Sequence, residues 1–241
     1  MTIRKQHLSL TLVVAVLFSM LALTLAPVAG AAADPVVLDP DEIADLQYMR
    51  EEEKLARDVY QTMYQAWRLP VFTNIASSEQ THMDAVLTLL ERYDVDDPAA
   101  GNAPGEFTNQ DLQTLYDRLV AQGRQSVTEA LRVGIAIEEI DIRDLIEAIA
   151  DTEHADIVRV YENLKRGSEN HLRAFVRTLE RRTGETYEPQ FLDQDTYDEI
   201  MAGRSGLGGG NGAGIGNGNG NSNGAGNAAE RGRGGRSRSG R

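Results

Sequence analysis

Apolar residues between positions 34 and 183 recur at spacings of three and four, and no stretch there alternates with a period of two. The first spacing predicts amphipathic α-helices, whereas the second would have predicted half-buried strands. We therefore expect an all-α fold. The pattern divides into four long helices, with one short helix between the second and the third.

Capping residues and helix breakers set the predicted limits of these helices. Asp39 is expected to cap the first long helix, with Pro40 in its first turn, and a Ser126-x-x-Glu129 capping box is expected to begin the third. Gly184 is expected to end the fourth. The predicted long helices cover about 40–67, 73–93, 127–150 and 153–182, and the short helix runs from a Thr108 cap, with Asp111, to Gly123.

The connections predict how the helices pair. The first and second long helices, and the third and fourth, are joined by short segments, which indicates two antiparallel hairpins. The segment between the hairpins is long enough to cross over the bundle. These lengths predict a ferritin-like antiparallel four-helix bundle, with residues 187–201 packed on its outside.

Composition changes sharply at both ends of the 241-residue chain. Residues 1–33 contain no acid, and a long apolar run follows Arg4 and Lys5, which is typical of a cleaved secretory signal peptide. An uncleaved membrane anchor is the alternative. Residues 203–241 are rich in Gly and Asn and end in a basic segment, which predicts a disordered tail. Residues 34–202 are then the folded domain of a protein exported to the periplasm, the cell envelope or the medium.

The folded domain is strongly acidic. Residues 34–202 hold 36 of the 37 acidic residues and 16 of the 24 Lys and Arg residues, which gives them a formal charge of −20. Such a domain is expected to attract cations and to repel nucleic acid, while the basic tail is either solvated or in contact with an anionic envelope surface. The chain has no cysteine, which excludes disulfides, thiolate metal ligands and a catalytic thiol.

Every predicted long helix carries polar residues inside its apolar stripe. A buried ionised carboxylate without a partner is costly, so several carboxylates in one core require cations between them. Two divalent ions bridged by carboxylates, with one imidazole on each ion, meet this requirement. Oxygen and nitrogen ligands suit iron, manganese or zinc. The stripe residues are Glu53; Glu79 and His82; Glu138 with either Asp141 or Ile142; and Ser168 and His171.

Each of these residues has an alternative interpretation. Glu53 follows Glu51 and Glu52 and is solvated if the helix turns that side outward. His171 on an apolar face is equally typical of a core histidine with satisfied hydrogen bonds, and a Glu79-x-x-His82 pair arises by chance in an acidic chain. His154 begins a predicted helix, and we expect it at the surface.

Motifs around the stripe residues resemble known proteins. Glu53-x-x-Ala56-Arg57-x-x-Tyr60 and Ile75-Ala76-x-x-Glu79-x-x-His82 are similar to the first two helices of rubrerythrin-type ferritin-like proteins. Ile135-Ala136-Ile137-Glu138-x-x-Asp141 is similar to the third, where two acids three apart contribute to a di-iron site. The segments EEEKLARDVY, EQTH, EEIDIRDL and GSENHLRAF together resemble an uncharacterised ferritin-like family, domain of unknown function 2202, over about residues 42–182.

The resemblance implies a di-iron carboxylate protein with oxidoreductase or ferroxidase-like activity towards O₂ or peroxide. It implies bridging by Glu79 and Glu138, terminal carboxylates at Glu53 and Asp141, and terminal imidazoles at His82 and His171. Tyr60, Tyr161 and Ser168 are expected beside these ligands. The alternative function is a non-catalytic metal-binding or structural bundle of the envelope, and a third interpretation is an inert bundle. The partner expected, besides metal ions and O₂ or peroxide, is a second copy of the chain in a homo-oligomer.

One position departs from that family pattern. Ferritin-like sites generally have Glu-x-x-His in the fourth helix, but Ser168 precedes His171 by three residues here. Glu169 lies about 100° further around the helix and is expected to point elsewhere. The fourth helix is therefore expected to supply His171 alone. The second ion then loses one ligand and either binds weakly or keeps an open coordination position.

Overall fold

The computed structural model describes residues 37–203, which form six α-helices and no strand. The helices are α1 (Pro40–Trp67), α2 (Pro70–Arg92), α3 (Gln110–Gly123), α4 (Val127–Asp151), α5 (Ala155–Thr183) and α6 (Gln194–Met201). The predicted all-α class is confirmed. The predicted signal peptide and, apart from Gly203, the predicted tail lie outside the described residues.

The four long helices pair as two hairpins. α1 packs along α2 after a two-residue connection, and α4 packs along α5 after residues 152–154. α3 lies in the long segment between the hairpins and packs against both α1 and α4. The bundle with a crossover that carries an extra short helix is therefore present as predicted.

Most predicted helix ends are confirmed. Asp39 forms a capping box with Glu42, and the Ser126 side chain accepts a hydrogen bond from the backbone N–H of Glu129. Two starts differ. α2 begins at Pro70 rather than near residue 73, because proline is favoured in the first helical turn. Asn109, not Thr108, caps α3 by accepting from the N–H groups of residues 111 and 112.

Charged side chains of α1 hold the crossover in place. Nearly every residue from 49 to 60 is buried, although many of them are ionisable. The Glu51 carboxylate accepts hydrogen bonds from the backbone N–H groups of Thr108 and Asn109, at 2.6 and 2.8 Å. Lys54 donates to the carbonyl oxygens of residues 103 and 106. The crossover thus covers one side of α1 through hydrogen bonds to charged groups.

The segment after α5 folds back onto the bundle. Tyr187, Tyr197 and Ile200 are buried and join the larger of two apolar core clusters. The Glu139 carboxylate accepts hydrogen bonds from three successive backbone N–H groups, those of residues 190–192. Residues 187–201 therefore pack against α4 and α5, as expected. None of the described helices combines the length and the apolar character that a membrane crossing requires.

Candidate metal centre

The polar stripe residues lie between the two apolar clusters of the core. On α1, Glu53 lies between Met49 of the smaller cluster and Ala56 of the larger one. Glu79 and His82 hold the corresponding place on α2. Helices α4 and α5 contribute Glu138 and His171 at the same level, and all five side chains are buried. The four long helices therefore present carboxylates and imidazoles to a common interior space.

These five buried residues are called the ligand cluster below, and Glu79 joins its two halves. Its Oε2 atom lies 2.8 Å from His82 Nδ1, and its Oε1 atom lies 2.9 Å from His171 Nδ1. Glu53 Oε2 lies 3.2 Å from His82 Nδ1, and Glu138 Oε2 lies 3.5 Å from His171 Nδ1. The imidazole ring centres are 5.5 Å apart and the ring planes differ by 28°.

These distances define two groups of three possible metal ligands that share Glu79. The first group is Glu53, Glu79 and His82, and the second is Glu79, Glu138 and His171. Within each group, one ligand atom from every residue lies within 4.8 Å of the others. Adjacent groups that share a carboxylate are the arrangement that a bridged pair of divalent ions requires.

Some polar atoms in and beside the ligand cluster have no hydrogen-bond partner. Among the described residues, these buried side-chain atoms include Glu53 Oε1 and, at the edge of the cluster, Asp141 Oδ1. Burying such atoms without a partner costs free energy, so each normally has a protein, water or metal partner. The carboxylate and imidazole donors present here are ones that bind iron, manganese and zinc, so the residues fit such ions.

Electrostatic coupling within the cluster is strong. Burial raises the pKa of Glu53 to about 7, against the opposing effect of His82. Burial also acts to raise the pKa of Glu79, but hydrogen bonds from the two histidines outweigh it and lower that pKa to about 2. Burial acts to lower both imidazole pKa values, yet the neighbouring carboxylates raise the pKa of His82 to about 11 and that of His171 to about 10. The carboxylates around both histidines therefore favour the protonated, positively charged imidazole.

Asp141 lies beside the two ligand groups but belongs to neither. Its side chain is buried, and burial followed by the charges of Glu53 and Glu52 raises its pKa well above the usual range. The Ser168 hydroxyl donates to the Leu164 carbonyl at 3.1 Å and also lies near the Asp141 carboxylate, whose pKa it lowers. The structure thus brings Asp141 and Ser168 together at the edge of the cluster.

Two further side chains orient the ligands. The Tyr60 hydroxyl donates to Glu138 Oε1 at 2.6 Å, as expected for a residue beside the site. Ser78 Oγ lies 3.0 Å from His171 Nε2, the ring nitrogen that faces away from the carboxylates. Hydrogen bonds of this kind fix ring orientation in metal sites. Sequence analysis missed Ser78, and nothing in the sequence distinguishes it from the exposed Ser77.

Tyr161 does not contact the cluster, so its predicted place beside the ligands is a wrong expectation. It packs in the smaller apolar cluster, its hydroxyl has no hydrogen-bond partner, and the acids that affect it are Asp45 and Glu42. The apolar spacing of α5 put Tyr161 on the inward face, but it precedes His171 by ten residues, about 15 Å along the helix. Glu169 and His154 also lie outside both ligand groups, where they contact Lys165 and Glu42 respectively.

Gly167 is a second residue that sequence analysis missed. A Cβ atom at this position would lie 2.5 Å from His82 Nε2 and 2.6 Å from His82 Cε1. The imidazole therefore occupies space that any other residue would fill. A glycine inside a long helix costs up to about 1 kcal/mol relative to alanine, and that local cost is the signal that could have identified it.

Glu52 is the third missed residue. It is buried, its Oε2 atom has no hydrogen-bond partner, and Asp144 of α4 lies within hydrogen-bonding distance of it. Burial, followed by the charge of Asp144, raises the pKa of Glu52 well above its usual range. The apolar period selects Glu53 and gives no sign that the preceding glutamate is buried too.

Comparison with known proteins identifies relatives in sequence and in structure. The chain is 50% identical over 165 residues to the uncharacterised protein MJ0754 of Methanocaldococcus jannaschii, covering 68% of this chain and 89% of that protein. A crystal structure of hypothetical protein MJ0754, from Methanococcus jannaschii, matches with a TM-score of 0.67 and 49% identity. That match covers 69% of this chain and 95% of the other.

A family profile described as an uncharacterised protein domain, DUF2202, matches residues 42–204. This range contains all six helices except the first two residues of α1. It also contains every residue of the two ligand groups. The chain therefore belongs to the DUF2202 family.

Proposed function

We propose that this protein is an exported di-metal carboxylate protein that oxidises a bound pair of iron ions with O₂ or peroxide. The observation that carries the proposal is the position of Glu79, whose two oxygens face two different histidines at 2.8 and 2.9 Å. One carboxylate placed in this way serves two adjacent ions. Iron is chosen over manganese or zinc because of the resemblance to rubrerythrin-type proteins.

The ligand roles follow from the two groups. Glu79 would bridge the ions, with Glu53 and His82 completing one set and Glu138 and His171 the other. Asp141 is the additional carboxylate available to either ion. Two ferrous ions bound here would supply electrons for the reduction of O₂ or peroxide.

Aromatic side chains orient Glu138 and cover one side of the ligand cluster. Tyr60 holds Glu138 by one oxygen, which leaves Oε2 directed towards His171. The Tyr60 ring also packs against Phe72 and Phe175, with ring centres 6.4 and 5.1 Å away. This aromatic layer belongs to the larger apolar cluster and separates the ligands from solvent on that side.

Anaerobic titration with Fe²⁺ tests the binding half of the proposal. We expect two ions per wild-type chain and loss of both in Glu79→Gln, because both ligand groups contain that residue. Glu169→Gln is the matched control, since it makes the same change at a buried glutamate outside the cluster. Absence of uptake by the wild type, or equal uptake by the two variants, would refute metal binding.

Admission of O₂ or peroxide to the loaded protein tests the oxidative half. We expect Fe²⁺ oxidation, followed by ultraviolet-visible absorption, to be faster than that of the same Fe²⁺ concentration in buffer or with Glu79→Gln. Two bound ions that are oxidised no faster than free Fe²⁺ would overturn the oxidative function. They would instead indicate a metal-binding bundle without catalysis.

Export is a separate part of the proposal and rests on the composition of residues 1–33. We expect protein recovered from outside the cytoplasm of a bacterial host to begin near residue 34. Amino-terminal sequencing makes this measurement. Recovery of the intact amino terminus in the membrane fraction would instead indicate an anchor.

A further inference from the structure

A second group of carboxylates lies in a cleft between α1 and α4. The cleft has a volume of about 240 Å³, and its walls include Asp45 and Tyr48 of α1 and Asp144, Glu147 and Asp151 of α4. Four of the seven residues that line the cleft are acidic and none is basic. A cleft lined by charges of one sign concentrates the opposite ion from solution.

Positive charge near the cleft offsets these acids only in part. Arg143 donates two hydrogen bonds to Asp144, and both go to the Oδ1 atom. The other Asp144 oxygen therefore remains available, and it belongs to a carboxylate that has Glu52 within hydrogen-bonding distance. The acids thus extend from the cleft into the protein.

Glu52 is the observation that points to a ligand. It retains only 4% exposure, and its Oε2 atom has no hydrogen-bond donor among the described residues. Two carboxylates in contact need a proton or a cation between them. Asp141, with 5% exposure and an unpartnered Oδ1 atom, lies near Glu52 and also near Glu53 of the ligand cluster.

We propose that this cleft binds hydrated divalent cations and that Glu52 and Asp141 pass them to the ligand cluster. The proposal rests on the proposed function, because it assumes that the cluster takes up ions. The competing path lies beside His82 and His171, whose side chains each keep 10% exposure. Uptake there would not depend on the acids that line the cleft.

The rate of Co²⁺ uptake, followed by stopped-flow visible absorption, tests the path. Glu147→Gln/Asp151→Asn removes two exposed charges from the cleft and leaves Glu52 and Asp144 intact. We expect its second-order rate constant at about 10 mM ionic strength to fall about tenfold with unchanged final stoichiometry. The difference should shrink in about 1 M salt, where charges act over only about 3 Å.

The matched control is Asp117→Asn/Glu162→Gln, which removes two exposed acids from α3 and α5. We expect it to load at the wild-type rate, because both residues lie outside the cleft. Equal slowing of the two double variants would show a general charge effect. Either that result or no slowing of the cleft variant would overturn the proposal.

Binding in the cleft itself is tested separately with Mn²⁺ and the Glu79→Gln variant. We expect paramagnetic broadening of the amide signals of Asp45, Asp144 and Asp151 at Mn²⁺ concentrations that leave Asp117 unaffected. No broadening would refute the cleft site even if the inner cluster binds metal. Broadening in a protein whose cluster takes up no Fe²⁺ would keep the cleft site and reject its role in loading.

Discussion

Two residues outside the ligand cluster, Gly167 and Ser78, position the two histidines within it. His82 approaches α5 so closely that its imidazole lies where a Cβ of residue 167 would be. His171 is fixed through its second ring nitrogen by Ser78. Both contacts come from helices that also carry ligands, so small changes there move a ligand without removing it.

Gly167→Ala should weaken metal binding although it improves helix propensity. The added methyl group would overlap His82 Nε2, so the ring must turn away from Glu53 and Glu79. We expect the affinity for Mn²⁺, measured by calorimetric titration, to fall at least about tenfold. Asn170→Ala raises helix propensity at an exposed position of the same helix and should leave affinity unchanged. Equal affinities for the two variants would show that the ring position is unimportant.

Ser78→Ala should weaken metal binding through His171. Loss of the hydroxyl frees the ring nitrogen that faces away from the cluster, so the ring is no longer held in one orientation. We expect a decrease in Mn²⁺ affinity of about tenfold in the same titration. Ser77→Ala changes the adjacent exposed serine and is the control. A decrease as large in that control would contradict the orienting role.

Three consecutive glutamates show what the sequence could predict about single residues. Glu53 lies in the apolar stripe, so the period of the helix identified it. Glu51 binds the crossover backbone and Glu52 contacts Asp144, more than 50 and 90 residues away in sequence. Because those partners are remote, no local pattern reported that all three side chains are buried.

Helix α4 carries a similar division of roles between adjacent residues. Glu138 belongs to the ligand cluster and accepts a hydrogen bond from the Tyr60 hydroxyl. Glu139, one position later and therefore about 100° around the helix, binds the backbone of residues 190–192. One helix thus connects the ligand cluster to the segment that precedes α6.

Glu139→Gln should destabilise the protein without weakening metal binding. A glutamine keeps one acceptor oxygen but loses the negative charge that strengthens the hydrogen bonds from the three backbone N–H groups. We expect a loss of about 2 kcal/mol in the free energy of unfolding in urea, with faster hydrogen exchange at residues 190–192. Glu138→Gln should show the reverse, with metal affinity reduced and exchange at 190–192 unchanged. Loss of metal binding in both variants would contradict this division.

At the level of elements, the sequence predicted more of the helices than of the contacts between them. The capping residues Asp39 and Ser126 placed the starts of α1 and α4, because caps act locally. The crossover was predicted only as a connection. Its fixed position depends on Glu51 and Lys54, whose backbone partners lie 49–58 residues away.

Over the whole molecule, each of the four long helices contributes ligand residues, so folding must bring several acidic side chains together in one core. Bringing Glu53, Glu79, Glu138 and Asp141 into one core raises the pKa of all except Glu79, whose two imidazolium partners lower it. Only the folded bundle holds these groups together. An ion that binds the cluster must consequently stabilise the folded state over the unfolded one.

Removal of metal should therefore lower the melting temperature of the whole bundle. At a free metal concentration one hundred times the dissociation constant, binding adds about 2.7 kcal/mol to the free energy of unfolding, or about 5–10 °C for a domain of this size. Differential scanning calorimetry with Mn²⁺ and with a chelator should show this difference in the wild type and in Glu169→Gln, but not in Glu79→Gln. A shift that survives in Glu79→Gln would place the stabilising ion elsewhere. Because the cleft acids are intact in that variant, adding Glu147→Gln/Asp151→Asn would then show whether the cleft holds it.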